Sequence, residues 1–232
     1  MVTPGVTVRT LPDTLMLAEV AADWLAQRVA LKPELTVLVA TGQTPMGMYG
    51  RLAARVQAGT LDCSQVTAVQ LDEYSGLAPE DPRRLRDWMM TSFVTPLRIL
   101  KVVPLDDPAT FTAELEALGG LDVAILGLGP NGHLGFNEPP SGPDAPTREV
   151  ALTPESLLSN RHYWNGLDVP TRAVTAGMDV ILGARETLLL VSGAHKRAIL
   201  GAALDGPETP EVPASYLRRT ALTVLADQEA RP

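Results

Sequence analysis

A mostly parallel α/β sheet with helices on both faces is predicted by three features of this sequence. Short apolar runs, Thr36 to Ala40, Val66 to Leu71, Leu121 to Leu126 and Leu188 to Val191, lack polar alternation and so read as strands buried on both faces. Stretches with helical periodicity separate these runs, and strictly alternating strands and helices build parallel sheets. The runs also open into glycine-rich or polar loops, at the sheet edge where open α/β folds carry their ligands.

The elements follow in order. Asp13 or Thr14 caps a first helix to about Val29, because Leu17, Val20, Ala21, Trp24, Leu25 and Val29 recur on one face. Lys32-Pro33 ends it, and Thr36 to Ala40 is the first strand. Pro45 lacks an N–H that would have no intrahelical partner in a first turn, so a helix from Met46 to about Val56 follows. Val66 to Leu71 is a strand, and Asp81-Pro82 opens a helix through Trp88, Met89 and Phe93. Lys101 to Val103 is a short strand, and Ala109 to Leu118 a helix closed by Gly119-Gly120. The central strand ends at Leu126. From Glu138 to Thr147, Pro, Gly and Ser dominate, which reads as a mobile loop and a candidate lid. Ala173 to Ala176 reads as a strand, Met178 to Leu182 as a short helix and Leu188 to Val191 as a buried strand. A helix through Leu204, a helical turn at Ala214 to Leu217 and a strand at Ala221 to Leu225 complete one domain spanning 1–232.

Composition narrows the function. Hydrophobic residues at 45% and charged residues at 20% of 232 residues fit an ordered chain with a substantial core. A net charge of −8 argues against a general nucleic-acid surface, though not against a local phosphate site. No apolar run reaches the ~18 residues of a membrane span, and Met1 to Arg9 lack the pattern of a signal peptide. The one cysteine, Cys63, forms no intrachain disulfide, has no zinc-ligand partners nearby and reads as packing. The expectation is a cytoplasmic protein without nucleic-acid or membrane partners, monomeric or homo-oligomeric.

Four loops carry the candidate chemistry. After Leu126, four glycines (Gly127, Gly129, Gly132 and Gly135) surround His133, with Asn131, Asn137 and Glu138 beside it. The loop Thr41-Gly42-Gln43-Thr44 lies between a strand and a helix, where unpaired N–H groups and the helix dipole favour one phosphate. It is neither a P-loop nor a dinucleotide fingerprint. Lys196 opposes the dipole at the start of a helix, which a phosphate counter-charge would explain; Arg161 is a second candidate. Asp72-Glu73 end a strand. If Asp72 meets His133 and Glu138, two carboxylates and an imidazole can move protons on a phosphate-anchored small molecule without a cofactor. Each loop is equally compatible with an ordinary capped turn or a solvated surface charge; their conjunction favours a site.

Thr41-Gly42-x-Thr44-Pro45, Leu71-Asp72-Glu73-Tyr74, Gly127-x-Gly129-x-Asn131-Gly132-His133-x-x-Phe136-Asn137-Glu138-Pro139 and Ser192-Gly193-x-x-Lys196 resemble, in order and spacing, the glucosamine-6-phosphate deaminase (isomerase) family. The resemblance covers nearly the whole chain. It implies a modified Rossmann-like sheet and conversion of an amino-sugar 6-phosphate to a ketose 6-phosphate and ammonia, with no cofactor and no metal. It also implies roles: Asp72 as the base between C2 and C1, His133 assisting ring opening, and Glu138 orienting and charging His133. Thr41, Gly42, Gln43, Thr44, Lys196 and Arg161 would hold the phosphate of a small sugar phosphate. Two departures stand out. Asn131 occupies a place where the glucosamine branch carries Asp, whose charge would raise the pKa of the neighbouring imidazole; the run around Asn131 is more similar to the galactosamine-6-phosphate branch. The family's phosphate arginine is reached at Arg161 only across a one-residue gap. The alternatives are a 6-phosphogluconolactonase-type hydrolase, whose equivalent loop lacks Phe136-Asn137-Glu138-Pro139, and a non-catalytic sugar-phosphate sensor.

Overall fold

The structure, a computed structural model, describes residues 5–232; the first four of the residues weighed as a leader lie outside it. Seven strands form an all-parallel sheet in the order β1, β10, β9, β6, β2, β3, β5. Their ranges are β1 Gly5–Leu11, β2 Thr36–Val39, β3 Thr67–Gln70, β5 Lys101–Val103, β6 Val123–Gly127, β9 Glu186–Val191 and β10 Ala221–Asp227. The interior strands β2, β3 and most of β6 and β9 are buried on both faces, as their continuous apolar runs require. One face is covered by α1 (Thr14–Leu31), α2 (Met46–Gln57), α3 (Leu85–Met89) and the π turn Met90–Val94 that follows it. The other is covered by α4 (Pro108–Ala117), α6 (Met178–Leu182), α7 (Arg197–Asp205) and the 3-10 segment Pro213–Arg219.

A second, antiparallel sheet differs from the sequence expectation. Its strands are β4 (Asp72–Tyr74), β8 (Arg172–Thr175) and β7 (Arg148–Ala151), in that order. The strand expected near Ala173 therefore joins this small sheet, pairing Asp72 with Thr175 and Arg148 with Thr175 on its two sides. Beneath it Tyr74, Leu85, Phe136, Leu152, Trp164 and Val169 form a separate apolar cluster.

The strand order reverses between β2 and β6, whose carboxyl ends lie side by side at the switch point. The Thr41–Thr44 loop and the glycine-rich loop are thereby neighbours. Between β3 and β4 the chain leaves one sheet for the other, and Asp72 is the first residue after the corner. Gln70 fixes that corner: its Nε2 donates to the Asp72 carbonyl at 3.0 Å, and its Oε1 accepts from Leu105 N at 3.1 Å.

The segment expected to be a mobile lid is built in instead. Ser141 is buried, its N–H donates to the Pro210 carbonyl at 3.0 Å, and Arg148 Nη2 donates to its hydroxyl at 2.9 Å. The Thr147 hydroxyl accepts from Gly177 N at 3.0 Å. A later stretch covers the site: α5 (Pro154–Asn160) and the 3-10 turn Arg161–Tyr163.

Candidate active site

A cavity of about 810 Å³ opens over the carboxyl ends of β2, β3 and β6. The Thr41–Thr44 loop, Asp72, His133 and Lys196 all line it, so the structure brings these sequence-predicted residues together.

Asp72 owes its chemistry to its corner. Its carboxylate is buried, and Oδ1 has no hydrogen-bond partner. Burial raises its pKa, the neighbouring Glu73 charge adds to this, a Thr41 hydrogen bond opposes it, and the carboxyl titrates at about 7. A base poised near neutrality, with an unpartnered carboxylate oxygen on a residue that lines the cavity, is suited to taking a proton from carbon. Glu73 has a different task. Its carboxylate accepts from Leu85 N at 2.9 Å and Arg86 N at 3.0 Å, capping α3.

His133 is held from behind. Glu138 Oε2 lies 3.3 Å from its Nδ1, and the Ser156 hydroxyl 3.2 Å. The same Oε2 accepts from Asn131 Nδ2 at 2.9 Å and from the Thr153 hydroxyl at 3.2 Å. Burial raises the Glu138 pKa, but hydrogen bonding and charge from His133, with donors from Ser156 and Asn131, outweigh it and hold the carboxyl at about 2. Glu138 and Asn131 do not line the cavity; they act on it through His133. Asn137, the other amide of the loop, is fully buried and structural. Its Nδ2 donates to the Leu134 and Ala176 carbonyls, and its Oδ1 accepts from Arg148 at 2.9 Å.

The loop's glycines are not equivalent. A Cβ at Gly127 would meet nothing within 4 Å, whereas one at Gly129 would fall 2.3 Å from the His133 ring. Gly129 is therefore the platform on which the imidazole lies. Gly129→Ala is expected to displace the ring and lower kcat by about a hundredfold with little change in melting temperature; steady-state kinetics beside a thermal melt check it.

At the cavity's other wall, Arg161 is exposed and does not line the space, while its neighbours Asn160, His162 and Tyr163 do. The Tyr163 hydroxyl accepts from the Gln43 N–H and stands 3.7 Å from where a Cβ of Gly42 would be. Trp88 and Trp164 pack edge-on against its ring. Burial lowers the pKa of Lys196, which has no carboxylate partner among the described residues. Arg51 and His195 also line the cavity. Sequence reasoning missed them because an arginine inside α2 and a histidine beside Lys196 carry no local signal. Cys63 is buried by the core and its thiol is pushed up to about 12 by burial and the Asp62 charge, consistent with packing.

Against known families, the profile described as glucosamine-6-phosphate isomerases/6-phosphogluconolactonase matches residues 13–226. The chain belongs to this family. Within it, the chain is 37% identical to a glucosamine-6-phosphate deaminase from Halothermothrix orenii, covering 92% of this chain and 94% of the relative. It is 35% identical to one from Rhodopirellula baltica over 96% and 94% of the two chains. Among solved structures, a monomeric glucosamine-6-phosphate deaminase superposes with a TM-score of 0.91 at 32% identity, covering 97% of this chain and 98% of that one. The 6-phosphogluconolactonase of Trypanosoma cruzi, at 15% identity and a TM-score of 0.78 over 98% and 96% of the chains, shares the fold. No helix among the described residues is long and apolar enough to cross a membrane.

Proposed function

We propose that this chain is an amino-sugar 6-phosphate isomerising deaminase, converting glucosamine 6-phosphate and water to the ketose 6-phosphate and ammonia. The observation that carries this reading is the pairing, in one cavity, of a buried carboxylate with a free lone pair and a histidine backed by an ionised glutamate. The relatives' activity supports the substrate class.

The steps follow from the residues. Phosphate sits at the Thr41–Thr44 loop, where the N–H groups ahead of α2 and the Lys196 cation attract a dianion. His133, its Nδ1 engaged by Glu138 and Ser156, presents Nε2 to the ring; it takes the C1 hydroxyl proton and returns a proton to the ring oxygen, opening the pyranose. Asp72 then removes the C2 proton and delivers it to C1. A second proton passes from the amino nitrogen to O1, so the C1 aldehyde becomes a hydroxymethyl group and C2 an imine, which water hydrolyses to a ketone with release of ammonia. Every step is a proton transfer or a hydration, and none calls for a cofactor. A cytoplasmic setting suits a phosphorylated substrate.

Asn131 bears on His133. It supplies a neutral donor to Glu138 where a second carboxylate would repel it, so one negative charge rather than two supports the imidazole. Ammonia release from glucosamine 6-phosphate and galactosamine 6-phosphate, assayed in parallel, tests the reading. Release from glucosamine 6-phosphate is expected; preference for the galactosamine epimer would reassign the sugar. Silence on both, with hydrolysis of 6-phosphogluconolactone above its spontaneous rate, would replace the deaminase by a lactonase.

A further inference from the structure

The chain has three histidines, and all three line the one cavity. His133 is accounted for by proton transfer. His162 and His195 are exposed residues from two different turns, one following α5 and one preceding α7, and neither belongs to the core. The His162 ring lies 4.0 Å from that of Tyr163, whose hydroxyl takes the Gln43 N–H, and His162 lines the same cavity as the anion-binding loop. The His195 ring lies against Gly193, within 2.8 Å of where its Cβ would be, and beside Lys196. Arg161 points elsewhere, and Arg51 is engaged with Glu19 at 3.3 Å. Among the described residues, Lys196 is then the cavity-lining cation without a carboxylate partner, against a ligand carrying two negative charges.

We propose that His162 and His195 hold the substrate's phosphate together with Lys196, in the part a permanently charged guanidinium would otherwise take. The inference rests on the deaminase reading for the identity of the ligand. Its consequence is regulatory. A guanidinium keeps its charge at every physiological pH, whereas imidazoles lose theirs near neutrality. Phosphate affinity should therefore fall as pH rises, by up to about tenfold per pH unit for each proton the complex requires.

The charged surroundings allow this. Lys196 and Arg197 share the turn of His195. The Asp227 carboxylate of β10, which faces that turn, is committed to the Ser192 hydroxyl at 2.6 Å and Gly193 N at 3.1 Å. Arg161 and Tyr163 flank His162 on its own turn, and Arg51, paired with Glu19, lines the same cavity. Asp72 lines the same cavity and is hydrogen-bonded to Thr41. Apart from Asp72, no carboxylate among these groups is without a partner.

Inorganic sulfate is the probe, because it keeps two negative charges from about pH 6 to about pH 8, leaving the protein's own protons as the source of any pH dependence. Dissociation constants are read by NMR from the imidazole Cε1–H resonances, assigned by single substitution. The full chain is expected to bind sulfate at least about tenfold more weakly at the upper pH than at the lower. His162→Gln and His195→Gln should each weaken binding several-fold at the lower pH, and the double variant should show a clearly shallower pH slope, reduced to what Asp72 contributes as it ionises near pH 7. His162→Arg should bind at least as tightly as the parent with a shallower pH slope, a rescue that a merely structural histidine would not give. Unchanged affinity in the double variant, or a pH slope in it as steep as the parent's, would overturn the proposal. Sulfate binding does not depend on turnover. A chain that binds sulfate as expected but releases no ammonia keeps the two imidazoles and loses the deaminase reading; the reverse pattern does the opposite.

Discussion

Asp72→Asn is expected to abolish turnover and to stabilise the fold at the same time. The amide is isosteric, so the corner between β3 and β4 and the Gln70 bond to the Asp72 carbonyl remain. What goes is the basic carboxylate that takes the C2 proton, and general-base removal of this kind lowers kcat by about 10³-fold or more. The stability gain follows from linkage. In the unfolded chain the carboxyl titrates from its ordinary 3.8; in the fold, burial first and the Glu73 charge second raise it to about 7. Between those values the unfolded state sheds a proton that the folded state retains, so wild-type stability falls as pH rises through this window. Above it the folded state carries the whole penalty, up to about 4 kcal/mol. Asparagine has no such term. The variant's advantage in melting temperature should be largest near pH 8 and vanish below about pH 4; an equal advantage at both ends would remove charge burial as its origin. The same titration should place the acid limb of the wild-type rate profile near pH 7, where Asp72 becomes a competent base.

The buried parallel strands were legible in the sequence because burial on both faces leaves an unbroken apolar run, as in Leu188 to Val191. β1 was not, since six of its seven residues are exposed at the sheet edge and their identities mix Thr and Arg with Val. β4 has three residues, two of them acidic, and only tertiary pairing with β8 makes it a strand. The Pro-rich stretch after Glu138 read as a lid because local composition carries no trace of the Arg148, Pro210 and Gly177 bonds that pin it. Thr41, Gly42, Asp72 and His133, which line the cavity, stood out because loop chemistry at strand ends is a local signal. His162 was hidden behind Arg161: residue type favoured the arginine, whereas the 3-10 turn decides which of two adjacent side chains faces the cavity.

Glu138→Gln is expected to lower kcat by about 10²- to 10³-fold while leaving KM little changed, because Glu138 reaches the substrate only through His133. Oε2 accepts three donors, from Asn131, Thr153 and His133, and Oε1 lies 3.4 Å from Thr153 N. Glutamine has one acceptor oxygen. If it keeps the Oε2 place, its NH₂ opposes the Thr153 N–H; if it flips, its NH₂ faces three donors. Either way one buried donor loses its partner, at about 1–3 kcal/mol, and the imidazolium loses the negative charge that stabilises it. The carboxylate's own contribution to stability is present above its ordinary 4.5 and lost as pH falls through about 2, so the variant's deficit should persist at neutral pH and shrink in strong acid. The kinetic loss falls on ring opening, the step His133 serves, and not on the C2 proton transfer that Asp72 serves. Deuterium at C2 separates the two. Slowing of ring opening makes it limiting, so the C2 isotope effect on kcat should shrink toward unity in Glu138→Gln. An isotope effect that grows instead would transfer Glu138 from the ring-opening step to the proton transfer at C2, and with it the reason for its contact with His133.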